Sequence, residues 1–161
     1  MFDARAYAGR REDDHPVVLS QLEALLQDEP SRVANLANAA ALLAHYLDEV
    51  NWVGFYLLDE TRAELVLGPF QGLPACVRIA LGKGVCGTAA AARRTLNVPD
   101  VKAFPGHIAC DASSASEIVV PLVKDGVLLG VLDVDSPRKA RFDTTDAAWL
   151  ERFAQILVRH L

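Results

Sequence analysis

The stretch CDASSASEIVVPLVKDGVLLGVLDVD, Cys110 to Asp135, decides how the chain reads. It leaves a cysteine in a small-residue loop and enters an apolar run opened by Glu117. It then turns at Lys124-Asp125-Gly126 and closes on Asp133 and Asp135. Ile118 to Val123 and Val127 to Val134 have the composition of buried strands, and the Asp-Gly turn between them predicts an antiparallel hairpin. Alternation along a strand puts Asp133 and Asp135 on one face, which is hard to explain as surface decoration after so apolar a run. Paired, the strands gather one thiol and three carboxylates near one place, a grouping that points to redox or nucleophilic sulfur chemistry.

Working outward, the residues predict helices at both chain ends and strands between them. Residues 1–13 read as a tail, and the domain as residues 14–161. A helix starts at Asp14-His15-Pro16 with an apolar stripe from Val17 to Leu26. A second is capped by Ser31 and carries Leu36, Ala40, Leu43 and Leu47 at helical spacing. From Val50 the period changes. Asn51 to Leu58 and Glu64 to Phe70 read as strands around a turn, Cys76 to Leu81 and Thr95 to Val98 as shorter ones. An alanine-rich helix follows Gly82-Lys83-Gly84 and ends at Arg93-Arg94. Asp143 to Asp146 cap a last amphipathic helix carrying Trp149, Leu150, Phe153 and Leu157. The expected fold is α+β: one domain with a central antiparallel sheet of about six strands, and the N- and C-terminal helices packed on one face. Trp52, Gly54 and Tyr56 share a strand face, and a glycine inside a strand signals close approach of another group. Trp52 and Tyr56 are therefore candidate pocket walls.

Composition narrows the function classes. With 161 residues, 52% hydrophobic and 23% charged, the chain is long enough for a core and reads as globular. No apolar run reaches the roughly 18–20 residues of a membrane span, and the polar N-terminus has no secretory h-region. The net charge of −5 and the lack of a basic, aromatic-rich patch argue against nucleic acid. A small molecule or a protein is the expected partner, with no membrane.

The three cysteines, Cys76, Cys86 and Cys110, form an odd set without an export signal, so a reduced cytoplasmic setting is expected rather than a structural disulfide framework. Their spacing matches no zinc pattern, the four histidines are scattered, and no metal is expected. Cys86 stands near the start of the alanine-rich helix, where backbone amides lower a thiol pKa. Gly82-x-Gly84-x-x-Gly87 spells a dinucleotide fingerprint without its context, since no acidic residue closes a following strand. The loop from Pro99 to Ser116 is long enough to be functional, and it carries Cys110.

Asn51-Trp-Val-Gly-Phe-Tyr56, Gly68-Pro-Phe-Gln-Gly72, Gly82-Lys-Gly-Val-Cys-Gly87, Asn97-Val-Pro-Asp-Val101, His107-Ile-Ala-Cys110, Ser116-Glu-Ile-Val-Val-Pro121 and Gly130-Val-Leu-Asp-Val-Asp-Ser136 together resemble a GAF domain. More narrowly, they are similar to the free methionine-(R)-sulfoxide reductases, over nearly the whole chain. The resemblance implies that Cys110 is the attacking thiol, becoming a sulfenic acid as free methionine departs. Cys76 is then the resolving cysteine and Cys86 a second resolver or a packing residue. Glu117, Asp133 and Asp135 match the pocket carboxylates, and crowding predicts that at least one keeps its proton near neutrality. A protonated acid would polarise the sulfoxide oxygen, an ionised one would hold the substrate amine, and Trp52 and Tyr56 would enclose the thioether end. The resemblance further implies no bound cofactor, thioredoxin (NADPH-linked) as external reductant, and a homodimer. Two other readings of the same residues are a non-catalytic GAF sensor for a small ligand and a thiol redox switch acting through partner binding. Acids where a phosphate would need cations count against a nucleotide sensor.

Overall fold

The computed structural model describes residue 7, residues 9–108 and residues 111–161. In chain order the elements are α1 (Arg11–Leu26), α2 (Arg32–Tyr46), β1 (Trp52–Asp59), β2 (Glu64–Gln71), β3 (Arg78–Ala80), α3 (Gly84–Ala92), β4 (Leu96–Val98), β5 (Ser116–Lys124), β6 (Val127–Ser136) and α4 (Thr144–Val158). The strands form one sheet in the order β3-β2-β1-β6-β5-β4, and every neighbouring pair is antiparallel. The expected α+β architecture is the observed one. Among the described residues no helix is long and apolar enough to cross a membrane.

Local chemistry accounts for the boundaries. Ser31 accepts from the Ala34 amide to cap α2. Asp143 accepts from the Thr145 and Asp146 amides while the Asp146 side chain accepts from the Asp143 amide, a complete capping box at the start of α4. Helix α1 begins at Arg11 and not at Asp14, so Pro16 lies inside it. The extra turn places Glu12, Asp13 and Asp14 at the positive end of the helix, and the Asp14 carboxylate accepts from the Gly9 amide at 2.8 Å. Lys124 pairs with Val127, leaving Asp125 and Gly126 as a two-residue loop with φ of 51° and 79°. Positive φ at both positions is the type I′ turn whose twist matches the flanking strands.

The sheet separates two apolar layers. Val53, Phe55, Ile118, Val120, Leu122, Leu132 and Val134 face α1, α2 and α4. Trp52, Tyr56, Val119 and Val131 face the other way, against α3 with its Val85, Cys86, Ala89 and Ala90. One helix of small residues covers this second face incompletely, and a site opens beside it.

Strand β1 leaves no room for a side chain at Gly130 of β6, where an added Cβ would lie 2.1 Å from the Tyr56 carbonyl oxygen. Gly130→Ala must push the two central strands apart, with an expected loss of about 2–3 kcal/mol. Gly126, in the exposed turn, has open space around its Cα. Gly126→Ala should lose only about 1 kcal/mol, from the left-handed backbone alone. Urea midpoints of the two variants check the ranking, and equal losses would contradict the close approach.

Candidate functional site

Strand register builds the site. Trp52 on β1 stands opposite Asp135 on β6, which stands opposite Glu117 on β5. In the next row Gly54 faces Asp133, and Asp133 faces Val119. All these positions lie on the α3 face. A Cβ at Gly54 would fall 2.6 Å from the Trp52 ring and 2.4 Å from Phe70 Cβ. Glycine therefore lets the indole lie flat along the sheet, stacked between Tyr56 (5.8 Å) and Phe70 (5.3 Å). The indole Nε1 donates to the Leu73 carbonyl at 3.1 Å, which fixes the ring's orientation.

Trp52, Tyr56, Cys86, Glu117, Asp133 and Asp135 all line one cavity beside α3, which offers about 30 Å³ to the centres of water-sized molecules. That is room for about two waters. Burial first, then Asp133 and Asp135, raises the Glu117 carboxyl well above its usual range. Burial and Asp133 do the same to Asp135. Burial raises Asp133 to about 7, even though its contacts with Cys86 and Glu117 pull the other way. The Tyr56 phenol is raised by burial and the same acids, so it stays a neutral donor. Cys86 Sγ lies 3.8 Å from Glu117 Oε1. His107 Nε2 lies 3.8 Å from Glu117 Oε2, and burial lowers the imidazole pKa. Near neutrality that contact joins a carboxylic acid to a neutral imidazole; it is not an ion pair.

Residues 21–161 match the GAF domain family. The chain belongs to that family. Protein YtsP of Bacillus subtilis is 56% identical across 100% of this chain and 99% of its own length. The free methionine-R-sulfoxide reductase of Escherichia coli is 51% identical, covering 86% of this chain and 82% of its own. The X-ray structure of free methionine-R-sulfoxide reductase from Neisseria meningitidis in complex with its substrate superposes with a TM-score of 0.94 at 49% identity, covering 99% of this chain and 95% of that one. The resemblance carried by the sequence motifs, to this branch of GAF domains, is thereby shown.

The cysteines of this GAF domain occupy different environments. Cys76, half-buried just before β3, is disulfide-bonded. It does not line the cavity, but its neighbour Ala75 does. Cys110 lies outside the described residues, and Ile108 and Asp111 on either side of it line the cavity. Cys86 is a free, buried thiol. The helix N-terminus was expected to lower its pKa, and the structure reverses that. Cys86 is the third residue of α3, but burial dominates, and the Asp133 and Glu117 carboxylates facing it push the thiol well above its usual value.

Several residues in or beside the cavity carried no individual reading in the sequence. His107 entered only within the His107-Ile-Ala-Cys110 motif and as one of four scattered histidines, with no role of its own. Asn51, just before β1, donates to Asp111 Oδ2 at 2.8 Å and Ser114 Oγ at 3.0 Å, tying the loop that follows Cys110 to the sheet. Ser114 in turn hydrogen-bonds Asp135 and offsets part of that acid's upward shift.

The raised acids predict a pH signature. For Asp133 the folded-state value of about 7 lies above the ordinary 3.8, so its contribution to stability is fully present below about pH 4. It is lost as pH rises through about 7, because the unfolded chain gives up that proton first. Asp133→Asn removes the penalty, so its stability relative to wild type should rise between pH 5 and pH 8. Urea midpoints at the two pH values check the sign, and a relative stability that stays flat would show the acid to be ionised in the fold throughout that range.

Proposed function

We propose that this chain is an oxidoreductase that reduces free L-methionine (R)-S-oxide to L-methionine, using cysteine thiols that thioredoxin restores. The observation that carries the reading is the set of three carboxyl groups, Glu117, Asp133 and Asp135, gathered beside Trp52 in one cavity that is also lined by Ala75, next to Cys76, and by Ile108 and Asp111, which bracket Cys110. Buried, partly protonated acids suit the two demands of the reaction: a proton for the sulfoxide oxygen and a negative charge for the substrate amine. The enclosure suits a free amino acid and excludes a peptide chain. A molecule of that size needs more room than two waters. Leu73, 62% exposed, and Ile108, 39% exposed, form a lightly packed rim that can part to admit it.

In this mechanism the Cys110 thiolate attacks the sulfoxide sulfur, and an acid of the Glu117–Asp133–Asp135 group protonates the oxygen. Oxygen passes to Cys110 as a sulfenic acid and methionine leaves. The Cys76 thiolate then attacks Cys110, releasing water and forming a disulfide that thioredoxin opens by exchange. The disulfide-bonded state of Cys76 and the buried, hard-to-ionise thiol of Cys86 favour Cys76 as the resolving residue. Trp52 packs on the thioether end and Tyr56 supplies a neutral hydroxyl. A homodimer in the cytoplasm belongs to the same reading, on the family resemblance.

The test is a coupled assay with NADPH, thioredoxin reductase, thioredoxin and free methionine-(R)-sulfoxide. Wild type should oxidise NADPH, Cys110→Ser should not, and Cys76→Ser should complete about one turnover without cycling. Glu117→Gln and Asp135→Asn should lower turnover by about 10²–10⁴ while the fold survives. Absence of turnover in wild type, or undiminished turnover in Cys110→Ser, overturns the reading.

A further inference from the structure

Asn51 stands just before β1 and is fixed to the sheet by its own backbone, its amide donating to the Asp135 carbonyl at 3.0 Å. Its side-chain Nδ2 meets three groups of the segment that follows Cys110: Asp111 Oδ2 at 2.8 Å, Ser114 Oγ at 3.0 Å and Ser113 Oγ at 3.2 Å. Asp111 also accepts from the Ser113 amide at 2.8 Å and the Ser113 hydroxyl at 2.7 Å, closing a tight turn. At the other end of this segment the Ala115 amide donates to the Ser136 carbonyl at 2.7 Å. Residues 111–115 are thus held at both ends, and the tie at the Cys110 end is the Asn51 side chain. A second observation shows what that side chain is kept for. Its Oδ1 is buried with no hydrogen-bond partner among the described residues. A buried carbonyl without a partner is costly, so this asparagine serves through its donors. One of them also sets the direction of a proton. Ser114 Oγ accepts from Asn51 and hydrogen-bonds Asp135, so its single O–H points at the acid.

We propose that Asn51 is a positioning residue for the reduction set out above, holding the residue after Cys110 in place and aiming the Ser114 hydroxyl at Asp135. The inference rests on the reductase reading. Asn51 is not among the residues that line the cavity, so it acts through its neighbours and not on the substrate. Those neighbours belong to the two parts of the site that must meet at the sulfoxide, the thiol-bearing loop and the buried acids. One amide joins them. A held nucleophile loses most of its advantage when it is displaced by about an ångström, so the joint sets the rate and not the affinity.

The test follows single-turnover formation of methionine by the reduced full chain over a range of free methionine-(R)-sulfoxide concentrations. Asn51→Ala should slow the saturating rate by about ten- to hundredfold and change the half-saturating concentration by less than about threefold. Asn51→Asp sets a carboxylate against Asp111 and should lose at least as much. Adding Asp111→Asn to it reverses donor and acceptor in the same contact and should recover about tenfold or more of that loss. A residue that only stabilised the fold would give neither the split between rate and affinity nor the rescue. A wild type that forms no methionine overturns the reductase reading and this assignment with it. With an active wild type, three results overturn the assignment alone: a wild-type rate in Asn51→Ala, a loss carried by the half-saturating concentration, or a double variant no faster than Asn51→Asp. Should the Asn51 variants fail to fold by circular dichroism, Asp111→Asn alone decides, and an unchanged saturating rate overturns the assignment.

Discussion

Burying three carboxyl groups and a thiol on one face of β1, β5 and β6 is the constraint to which the rest of the domain answers. Desolvation is the first cause of the upward shift at Glu117, Asp133, Asp135 and Cys86 alike. The cluster escapes mutual repulsion near neutrality by holding protons, and those protons are the resource that an acid-dependent reaction can use. A site of this kind destabilises the fold locally, so the compensation has to come from elsewhere. It comes from the opposite face of the same strands, where Phe55, Ile118, Val120, Leu122, Leu132 and Val134 pack against three helices.

The two faces are coupled through register. With a side-chain period of two, a one-residue slip of β6 against β5 would exchange the faces, sending Asp133 and Asp135 into the helix-covered core and Val134 into the cavity. The Asp125-Gly126 turn, with both residues at positive φ, fixes the pairing of Lys124 with Val127, and a one-residue register shift between Leu122 and Val123 then brings Glu117, seven residues back along β5, opposite Asp135, eight residues on along β6. The turn at one end of the hairpin and the register shift beside it thus set the geometry of the acids at the other. The apolar face enforces the same register independently, because any alternative buries ionisable groups among leucines.

Period-two alternation, capping residues and the Asp-Gly turn are local signals, and they made the hairpin, the α2 and α4 starts and the six-stranded antiparallel sheet legible before any coordinates. What was not legible depends on residues distant in the chain. The helix-terminus rule for Cys86 is sound locally, but it cannot see Asp133 and Glu117 arriving from two other elements. His107 and Asn51 take their places through a loop whose path a single sequence does not specify. The early start of α1 is a smaller case, in which three acids at a helix N-terminus outweighed an internal proline.

Floor and rim of the cavity differ in how firmly they are held, and selectivity follows from that difference. The floor is hydrogen-bonded sheet, with Trp52 laid flat over Gly54, fixed by its bond to the Leu73 carbonyl and stacked on both sides. Nothing there can shift without disturbing the central strands, so the acids keep their spacing whatever enters. The rim is made of exposed loop side chains, Leu73 on one side and Ile108 on the other. A ligand can part them at little cost, but only one small enough to let them close again restores the dry surroundings that keep the acids protonated. Enclosure and acidity are therefore one property: a ligand that held the rim open would rehydrate the carboxyl groups and return them toward ordinary, ionised behaviour.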